Sequence, residues 1–234
     1  MKNILITGAS KGIGFETVKL FLQQDDCRVI AISRNIESLV GLKNTRGTPN
    51  RLIPISFDLT NDSHSELVAH LSDFAHVDIL INNAGLLINK PFAELSIEDW
   101  RTLFEVNVFG PVKLIQYLLP LLQKASKPHI VNIGSMGGFQ GSSKFGGLSA
   151  YSASKAALAN LSECLAGELA GSRIASNCLC LGAVNTEMLQ QAFPGYQAPL
   201  NSEEMAQFIV EFSSTGHHFL NGQVIPVALN NPGA

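Results

Sequence analysis

Short apolar runs alternate with amphipathic stretches along almost the whole chain, and this alternation restricts the fold more than any other feature. The first run covers residues 3–7, a helical stretch follows at 12–23, and the same order recurs to the end. Strands separated by helices require crossover connections, which give a parallel sheet covered by helices on both faces. The sequence therefore predicts an α/β fold, a single-domain doubly wound parallel sheet of about seven strands over residues 1–234.

The remaining elements are predicted from the same periodicity. Further strands are expected at residues 28–33, 52–57, 77–82, 129–133, 174–181 and 223–228. Further helices are expected at 36–42, 62–74, 96–122, 151–170 and 202–213, with an interruption of the long helix near Gly110 and Pro111.

A glycine-rich loop, Thr7-Gly8-Ala9-Ser10-Lys11-Gly12-Ile13-Gly14, joins the first predicted strand to the first helix. Glycines let the backbone approach a pyrophosphate, and a helix N-terminus adds free N–H groups and a positive dipole end. The loop therefore predicts a dinucleotide site, although a plain glycine turn between strand and helix is the alternative.

Tyr151 and Lys155 lie four residues apart on a predicted helix, so their side chains project from the same face. A free phenol has a pKa near about 10, and a neighbouring ammonium lowers that pKa because it favours the phenolate. The pair therefore predicts a general acid or base, and an exposed helical pair without chemical function is the alternative.

Charge and cysteine content argue against several other classes of protein. The formal net charge is -3, which offers no basic surface to nucleic acid or anionic lipid. The apolar run at residues 4–6 is too short for a signal peptide or a membrane span, so a cytoplasmic protein is expected. Cys178 and Cys180 alternate in a predicted strand without nearby partners, which favours buried thiols over a metal site.

Five motifs occur in an order that resembles the short-chain dehydrogenases/reductases. They are Thr7-Gly-x-x-x-Gly12-Ile13-Gly14, Asn82-Asn83-Ala84-Gly85, Asn107, Ser135 and Tyr151-x-x-x-Lys155. The resemblance extends from residue 3 to about residue 228. It implies a Rossmann-like fold and hydride transfer between a nicotinamide cofactor and a carbonyl compound or its alcohol.

The resemblance also implies roles for individual residues. Ser135 and Tyr151 would hold the carbonyl oxygen, Lys155 would keep the phenol acidic and bind the nicotinamide ribose, and Asn107 would bend its helix and hold a water. Asp58 would contact adenine, or alternatively cap a helix ahead of Thr60. The expected cofactor-binding residues are Gly8, Ser10, Lys11, Gly12, Ile13, Gly14, Ser33, Arg34, Asp58, Leu59, Asn83, Ala84, Gly85, Tyr151, Lys155, Gly182, Val184 and Thr186.

Charge at the end of the second strand favours NADP(H) over NAD(H). A dinucleotide fold that prefers NAD usually has an acid there to bond the ribose 2′-hydroxyl. This strand ends Ala31-Ile32-Ser33-Arg34 without an acid, and Arg34 and Lys11 could bind a 2′-phosphate from two sides. Two solvated surface cations are the alternative.

Three places depart from the family pattern. Leu181 stands where the family commonly has proline, and residues 222–228 lack the usual acid and paired glycines, which puts subunit contacts in doubt. Residues 136–150 form a longer segment than usual, either a flap over the substrate or a flexible insertion. Its apolar residues and those of the expected lid at 186–200 favour an apolar substrate.

The sequence thus predicts an NADPH-dependent carbonyl reductase that acts on a small, apolar molecule. An NAD-linked alcohol dehydrogenase and a non-catalytic dinucleotide-binding regulator are the alternatives. A homodimer or homotetramer is expected from the resemblance, through the helices that carry Asn107 and Tyr151. Four leucines would suit either that interface or internal packing: Leu114, Leu118, Leu158 and Leu165.

Overall fold

A computed structural model describes residues 1–44, 50–61 and 63–229. The strands are β1 Lys2–Thr7, β2 Cys27–Ser33, β3 Leu52–Ser56, β4 Ile79–Asn82, β5 His129–Ser135, β6 Ala175–Leu181, β7 Val184–Asn185, β8 Leu200–Asn201 and β9 Val224–Val227. The α-helices are α1 Gly12–Leu22, α2 Glu37–Lys43, α3 His64–His70, α4 Ile97–Phe104, α5 Gly110–Leu122, α6 Ser149–Glu168, α7 Glu187–Ala192 and α8 Ser202–Thr215.

Seven of the strands form one sheet in the order β3-β2-β1-β4-β5-β6-β9, and every neighbouring pair is parallel. The predicted doubly wound parallel fold is confirmed. Each of the seven predicted strands occurs in this sheet with small shifts at its ends. The short parallel pair of β7 and β8 was not predicted, because two-residue strands carry no periodicity that a sequence pattern can reveal.

The sheet separates two apolar cores. Within β1, Ile4 and Ile6 belong to the core beneath α1 and α8, whereas Leu5 belongs to the core beneath α3 and α5. This alternation follows from the two-residue period of a strand. Burial on both faces explains why the strands read as continuous apolar runs.

The predicted long helix at 96–122 is interrupted near the expected place, by a turn of a different helix type. A capping box between Ser96 and Asp99 begins α4, and a π-helical turn at Glu105–Phe109 separates α4 from α5. The interruption was expected near Gly110 and Pro111, and the π-helical turn ends directly before Gly110, so this prediction is confirmed to within a few residues.

Helix α3 is shorter than the predicted 62–74. The chain turns after His70, and the Phe74 N–H donates to the Leu71 carbonyl at 2.9 Å. Residue Asp62, where the predicted helix begins, lies outside the described residues.

Three of the four leucines named above are internal. Leu114, Leu118 and Leu158 are almost fully buried within the chain. Internal packing therefore accounts for them. Among the described helices, none combines the length and apolar character needed to cross a bilayer.

Candidate active site

The predicted site residues gather at the carboxyl ends of the central strands. Gly8 follows β1, Asn83 follows β4, Ser135 ends β5 and Gly182 follows β6. The strand order reverses its direction between β1 and β4, and ligands of open α/β sheets bind in the crevice that this reversal creates.

The glycine loop has the backbone that a bound diphosphate requires. Gly8 and Gly12 have φ angles of 64° and 55°, a region that side-chain-bearing residues rarely adopt. A Cβ atom at Gly14 would lie 2.3 Å from the Gly8 carbonyl oxygen, so only glycine fits there. Helix α1 has no side-chain cap and no acid in its first turn. Its N-terminal N–H groups and dipole therefore suit an anionic group.

Asn83 and Thr7 hold this loop in place. The Asn83 Nδ2 donates to the carbonyls of Thr7 and Gly8 at 3.0 and 3.1 Å. In return, the Thr7 hydroxyl accepts the N–H groups of Asn83 and Ala84 at 3.1 and 3.0 Å. The Asn-Asn-Ala-Gly motif therefore fixes the glycine loop to the end of β4.

Four predicted residues lie at the end of β2 and in the glycine loop, and two of them are in contact. The Ser10 and Ser33 hydroxyls are hydrogen-bonded at 2.8 Å, and the exposed Arg34 follows them. Lys11 pairs with Glu187 of α7, with 2.6 Å between Nζ and Oε2. Two hydroxyls and two cations are a donor set that suits a phosphate group.

Asp58 accepts local hydrogen bonds in a turn rather than at a helix N-terminus, because α3 begins only at His64. Its carboxylate accepts the Thr60 hydroxyl and N–H at 2.7 and 2.9 Å. Burial acts to raise the pKa of Asp58, but these hydrogen bonds and the Arg34 charge outweigh it and lower that pKa. The next residue, Leu59, is buried against Gly110 of α5.

Asn107 lies fully buried in the π-helical turn and connects three parts of the site. Its Oδ1 accepts the Leu86 N–H at 2.8 Å, and its Nδ2 donates to the Leu86 carbonyl and the Ser154 hydroxyl at 2.9 Å. The Ser154 hydroxyl in turn donates to the Tyr151 carbonyl at 2.7 Å. This chain ties the first turn of α6 to the π-helical turn.

Lys155 is buried close to Asn107, across the space beside Gly85. Its Nζ donates to the Ile133 carbonyl at 2.9 Å. A Cβ atom at Gly85 would lie 3.3 Å from this Nζ and 3.4 Å from Asn107 Oδ1, so Gly85 keeps open the space that both groups face. Burial lowers the pKa of Lys155 to about 8, and the thiols of Cys178 and Cys180 oppose part of that change.

The phenol of Tyr151 does not have the lowered pKa that the sequence predicted. Burial raises the pKa of Tyr151, and a hydrogen bond with Ser135 offsets only part of the increase. The expected net lowering of the pKa of Tyr151 is therefore wrong for this structure, since desolvation is the larger effect. At neutral pH the phenol keeps its proton.

Cys178 and Cys180 lie behind this site as buried free thiols, with 3.9 Å between their sulfur atoms. This arrangement confirms that both side chains share one strand face. The described residues contain no group of three or more His, Cys, Asp or Glu side chains placed to hold a metal ion.

The lid begins at Thr186, whose hydroxyl accepts the Leu189 N–H at 3.2 Å and caps α7. Val184 and Asn185 pair with Leu200 and Asn201, so the two ends of the lid are joined. A Cβ atom at Gly12 would lie 3.6 Å from Thr186 Cγ2, which puts the glycine loop against the lid.

Leu181 replaces the usual proline without disturbing the sheet. It pairs in register with Ser135 of β5 and Val227 of β9, and its side chain packs in the core beneath α1 and α8. The departure therefore gives no structural argument for loss of function.

The segment 136–150 is tied to its surroundings by specific contacts. Lys144 Nζ donates to the carbonyls of Gly137 and Phe139 at 2.8 and 2.6 Å, and the Lys90 N–H donates to the Gly147 carbonyl at 3.0 Å. A Cβ atom at Gly138 would lie 2.6 Å from the Ala156 nitrogen and 2.7 Å from the Lys155 carbonyl carbon. These contacts favour the flap over the flexible insertion.

The flap borders an apolar region around Tyr151. Leu103, Leu148, Ala150 and Tyr151 form a buried cluster, against which Leu86, Leu87, Ile88, Leu95, Trp100 and Phe193 pack. Beside it lies a cleft of about 620 Å³, lined by Asn89, Pro91, Phe92, Phe145, Gly146, Gly147 and Ser149. The surroundings of the phenol therefore suit an apolar molecule.

Sequence reasoning missed Ser154, Gly138 and Glu187. Ser154 lies inside the Tyr151-x-x-x-Lys155 motif, so its position three residues after Tyr151 could have indicated a hydrogen bond to that carbonyl. Gly138 and Glu187 contact residues far away in sequence, and no local pattern indicates either contact.

Comparisons with known proteins agree with this geometry. The family model described as short chain dehydrogenase matches residues 2–197. The 3-oxoacyl-[acyl-carrier-protein] reductase FabG of Thermotoga maritima is 33% identical over 241 residues, covering 97% of this chain and 96% of that protein.

Two solved structures are similar over nearly the whole chain. A short chain dehydrogenase from Shigella flexneri complexed with NADP has a TM-score of 0.87 at 27% identity and covers 96% of each chain. A 4-hydroxyisoleucine dehydrogenase complexed with NADH has a TM-score of 0.85 at 26% identity and covers 97% of each chain. The chain therefore belongs to the short-chain dehydrogenase/reductase family of oxidoreductases.

Proposed function

We propose that this chain reduces an apolar carbonyl compound to its alcohol with NADPH, reversibly, and that residues 1–234 act as one catalytic domain. The observation that carries this proposal is the environment of Tyr151, a buried phenol within an apolar cluster that is hydrogen-bonded to Ser135. Like an ordinary phenol, it is protonated at neutral pH, the state in which a proton donor must enter the reaction.

In the proposed mechanism, Ser135 and Tyr151 donate hydrogen bonds to the carbonyl oxygen. Nicotinamide, when bound, supplies the hydride. Negative charge then accumulates on the oxygen, and two preorganised donors in a buried site stabilise it. Tyr151 transfers its proton to that oxygen as the alcohol forms.

Lys155 stabilises the phenolate that remains, because its ammonium is buried in the same site. It would also bind the nicotinamide ribose. Asn107 fixes the position of α6 through Ser154, and a water held beside Asn107 would connect Lys155 to solvent.

The cofactor would lie on the glycine loop, with its diphosphate at the first turn of α1. Lys11, Arg34 and the hydroxyls of Ser10 and Ser33 would bind the 2′-phosphate, while Asp58, Leu59, Asn83, Ala84 and Gly85 would border the adenosine and ribose. Gly182, Val184 and Thr186 would border the nicotinamide. NADP in the Shigella flexneri relative supports this preference.

Replacing Tyr151 by Phe tests the reaction. We expect carbonyl-dependent oxidation of NADPH, followed by its absorbance, to fall by at least about 10³-fold, because the proton donor is lost. NADPH binding, followed by fluorescence, should persist. Tyr117→Phe is the matched control, since Tyr117 is half-exposed on α5 and should keep full activity. A Tyr151→Phe enzyme with most of its turnover would refute the assignment.

An NAD-linked alcohol dehydrogenase is the second candidate, supported by NADH in the 4-hydroxyisoleucine dehydrogenase and by the engagement of Lys11 with Glu187. Arg34→Ala separates the two. In Arg34→Ala the affinity for NADPH should fall about tenfold or more, while the affinity for NADH stays unchanged. The control is Arg101→Ala, at an exposed position of α4, which should change neither affinity. Loss of NADH affinity alone would favour the second candidate.

A homodimer or homotetramer is also proposed from the family membership. Light scattering on the purified chain would test it, and a monomer at micromolar concentration would exclude it.

A further inference from the structure

The ion pair between Lys11 and Glu187 connects the two walls of the crevice. Lys11 precedes the first residue of α1, and Glu187 is the first residue of α7 in the lid. Their charged atoms are 2.6 Å apart, and both side chains are well exposed, at 63% and 67%. The contact between Gly12 and Thr186 places the same two segments side by side.

Lys11 therefore has two competing partners if the proposed function holds. A 2′-phosphate bound at Ser10, Ser33 and Arg34 would attract the ammonium, which already donates to the Glu187 carboxylate. The ammonium must leave this carboxylate or share its hydrogen bonds, and the carboxylate also repels the phosphate. NADH carries no 2′-phosphate, so it meets neither effect.

We propose that Glu187 is a specificity-determining residue that weakens binding of NADP(H), but not of NAD(H), by competing with the 2′-phosphate for Lys11. Glu187 acts through Lys11 and touches no reacting atom. This inference rests on the proposed cofactor site. It adds to that site the carboxylate of Glu187, which comes from the lid on the opposite side of the crevice. An acid at the end of β2, which is absent here, would be the ordinary means of the same discrimination.

The test measures the binding of NADPH and NADH separately to the intact chain, by calorimetry or fluorescence titration. In Glu187→Gln, we expect the Kd for NADPH to fall by about three- to tenfold at low salt, as suits an exposed charge pair. The Kd for NADH should not change. The gain should shrink at about 1 M salt, because charges on the surface are then screened.

Two variants serve as controls. Glu98→Gln removes another exposed, paired glutamate from the first turn of a helix and should change neither Kd. In a Lys11→Ala background, Glu187→Gln should lose most of its effect on NADPH, because the ammonium for which the two anions compete is gone.

Three results would overturn the inference. They are an equal change in both Kd values, no change in either, and an undiminished gain in the Lys11→Ala background. The proposed function fails separately if wild type binds neither cofactor, and the inference then fails with it. If wild type prefers NADPH but Glu187→Gln does not, the inference about Glu187 is rejected while the proposed function stands.

Discussion

Asn107 and Leu86 exchange two hydrogen bonds, so that the side-chain amide of Asn107 pairs with the backbone of Leu86 as a neighbouring strand would. Leu86 follows the Asn-Asn-Ala-Gly motif, and Asn107 lies in the π-helical turn between α4 and α5. The π-helical turn thus contains the residue, Asn107, that holds the loop after β4 in place.

Asn107→Leu should destabilise the protein by about 2–4 kcal/mol, because it leaves buried N–H and C=O groups of Leu86 without partners. Urea unfolding measures the loss. Asn160→Ala, on the exposed face of α6, should remain within about 0.5 kcal/mol of wild type. A loss below about 1 kcal/mol in Asn107→Leu would show that the loop is held by other contacts.

Carbonyl reduction should slow as the pH rises through the pKa of Lys155, which burial lowers to about 8. Reduction needs the neutral phenol of Tyr151 and the charged ammonium of Lys155, both of which are protonated forms, so the rate falls toward high pH. A pH profile of kcat would reveal this decrease. Lys155→Arg keeps its positive charge above pH 8, so its kcat, although lower, should not decrease with pH near pH 8. A decrease that persists near pH 8 in this variant would belong to another group.

Acid should destabilise the fold through His129. This ring is buried between Ser213 and Asn177, and burial lowers its pKa to about 4. The unfolded chain takes up a proton near pH 6.5 and the folded chain does so only near pH 4. The free energy of unfolding should therefore fall by up to about 3 kcal/mol as the pH drops across that window.

Chemical denaturation at several pH values would measure this fall. In His129→Gln the fall should be smaller. His70→Gln, at an exposed position of α3, should retain the wild-type dependence on pH. The same dependence in all three proteins would assign the acid sensitivity to other groups.

Gly138→Ala should impair the enzyme because its new methyl group would press on the backbone of Lys155 and Ala156. A displacement of about 1 Å in a catalytic group can cost about 10²-fold in rate, so kcat should fall strongly while the KM for NADPH changes little. Gly146→Ala is the matched control within the same flap, since a methyl group there would meet no atom within 4 Å. Equal kcat values for the two variants would exclude this coupling.

The sequence predicted those parts of the fold that local patterns determine. Strands such as β1 and β6 were placed correctly because their apolar runs are continuous and bounded by glycine or turn residues. The interruption of the long helix was predicted near Gly110 and Pro111, and the resemblance implied a bend at Asn107, but the π-helical form of the turn and the bond of Asn107 to Leu86 were not predicted, because that bond is a distant contact.

For the candidate site, motif order identified the residues but not their contacts. In the structure Tyr151 is hydrogen-bonded to Ser135, and Lys155 and Asn107 both face the space beside Gly85. The direction of the pKa shift of Tyr151 was predicted wrongly, because this pKa depends on burial that only the folded chain determines. Likewise, the cation Lys11 was identified without its counter-ion Glu187.

The contact of Gly138 with Lys155 has a consequence for how such a protein could evolve. The flap contributes one wall of the cleft at Phe145, Gly146 and Gly147, yet its base is packed against Lys155, a proposed catalytic residue. Mutations that reshape this base for a new substrate would also shift the lysine. The lid at 186–200 carries none of the four proposed catalytic residues, so substrate range could diverge there without loss of the proposed chemistry.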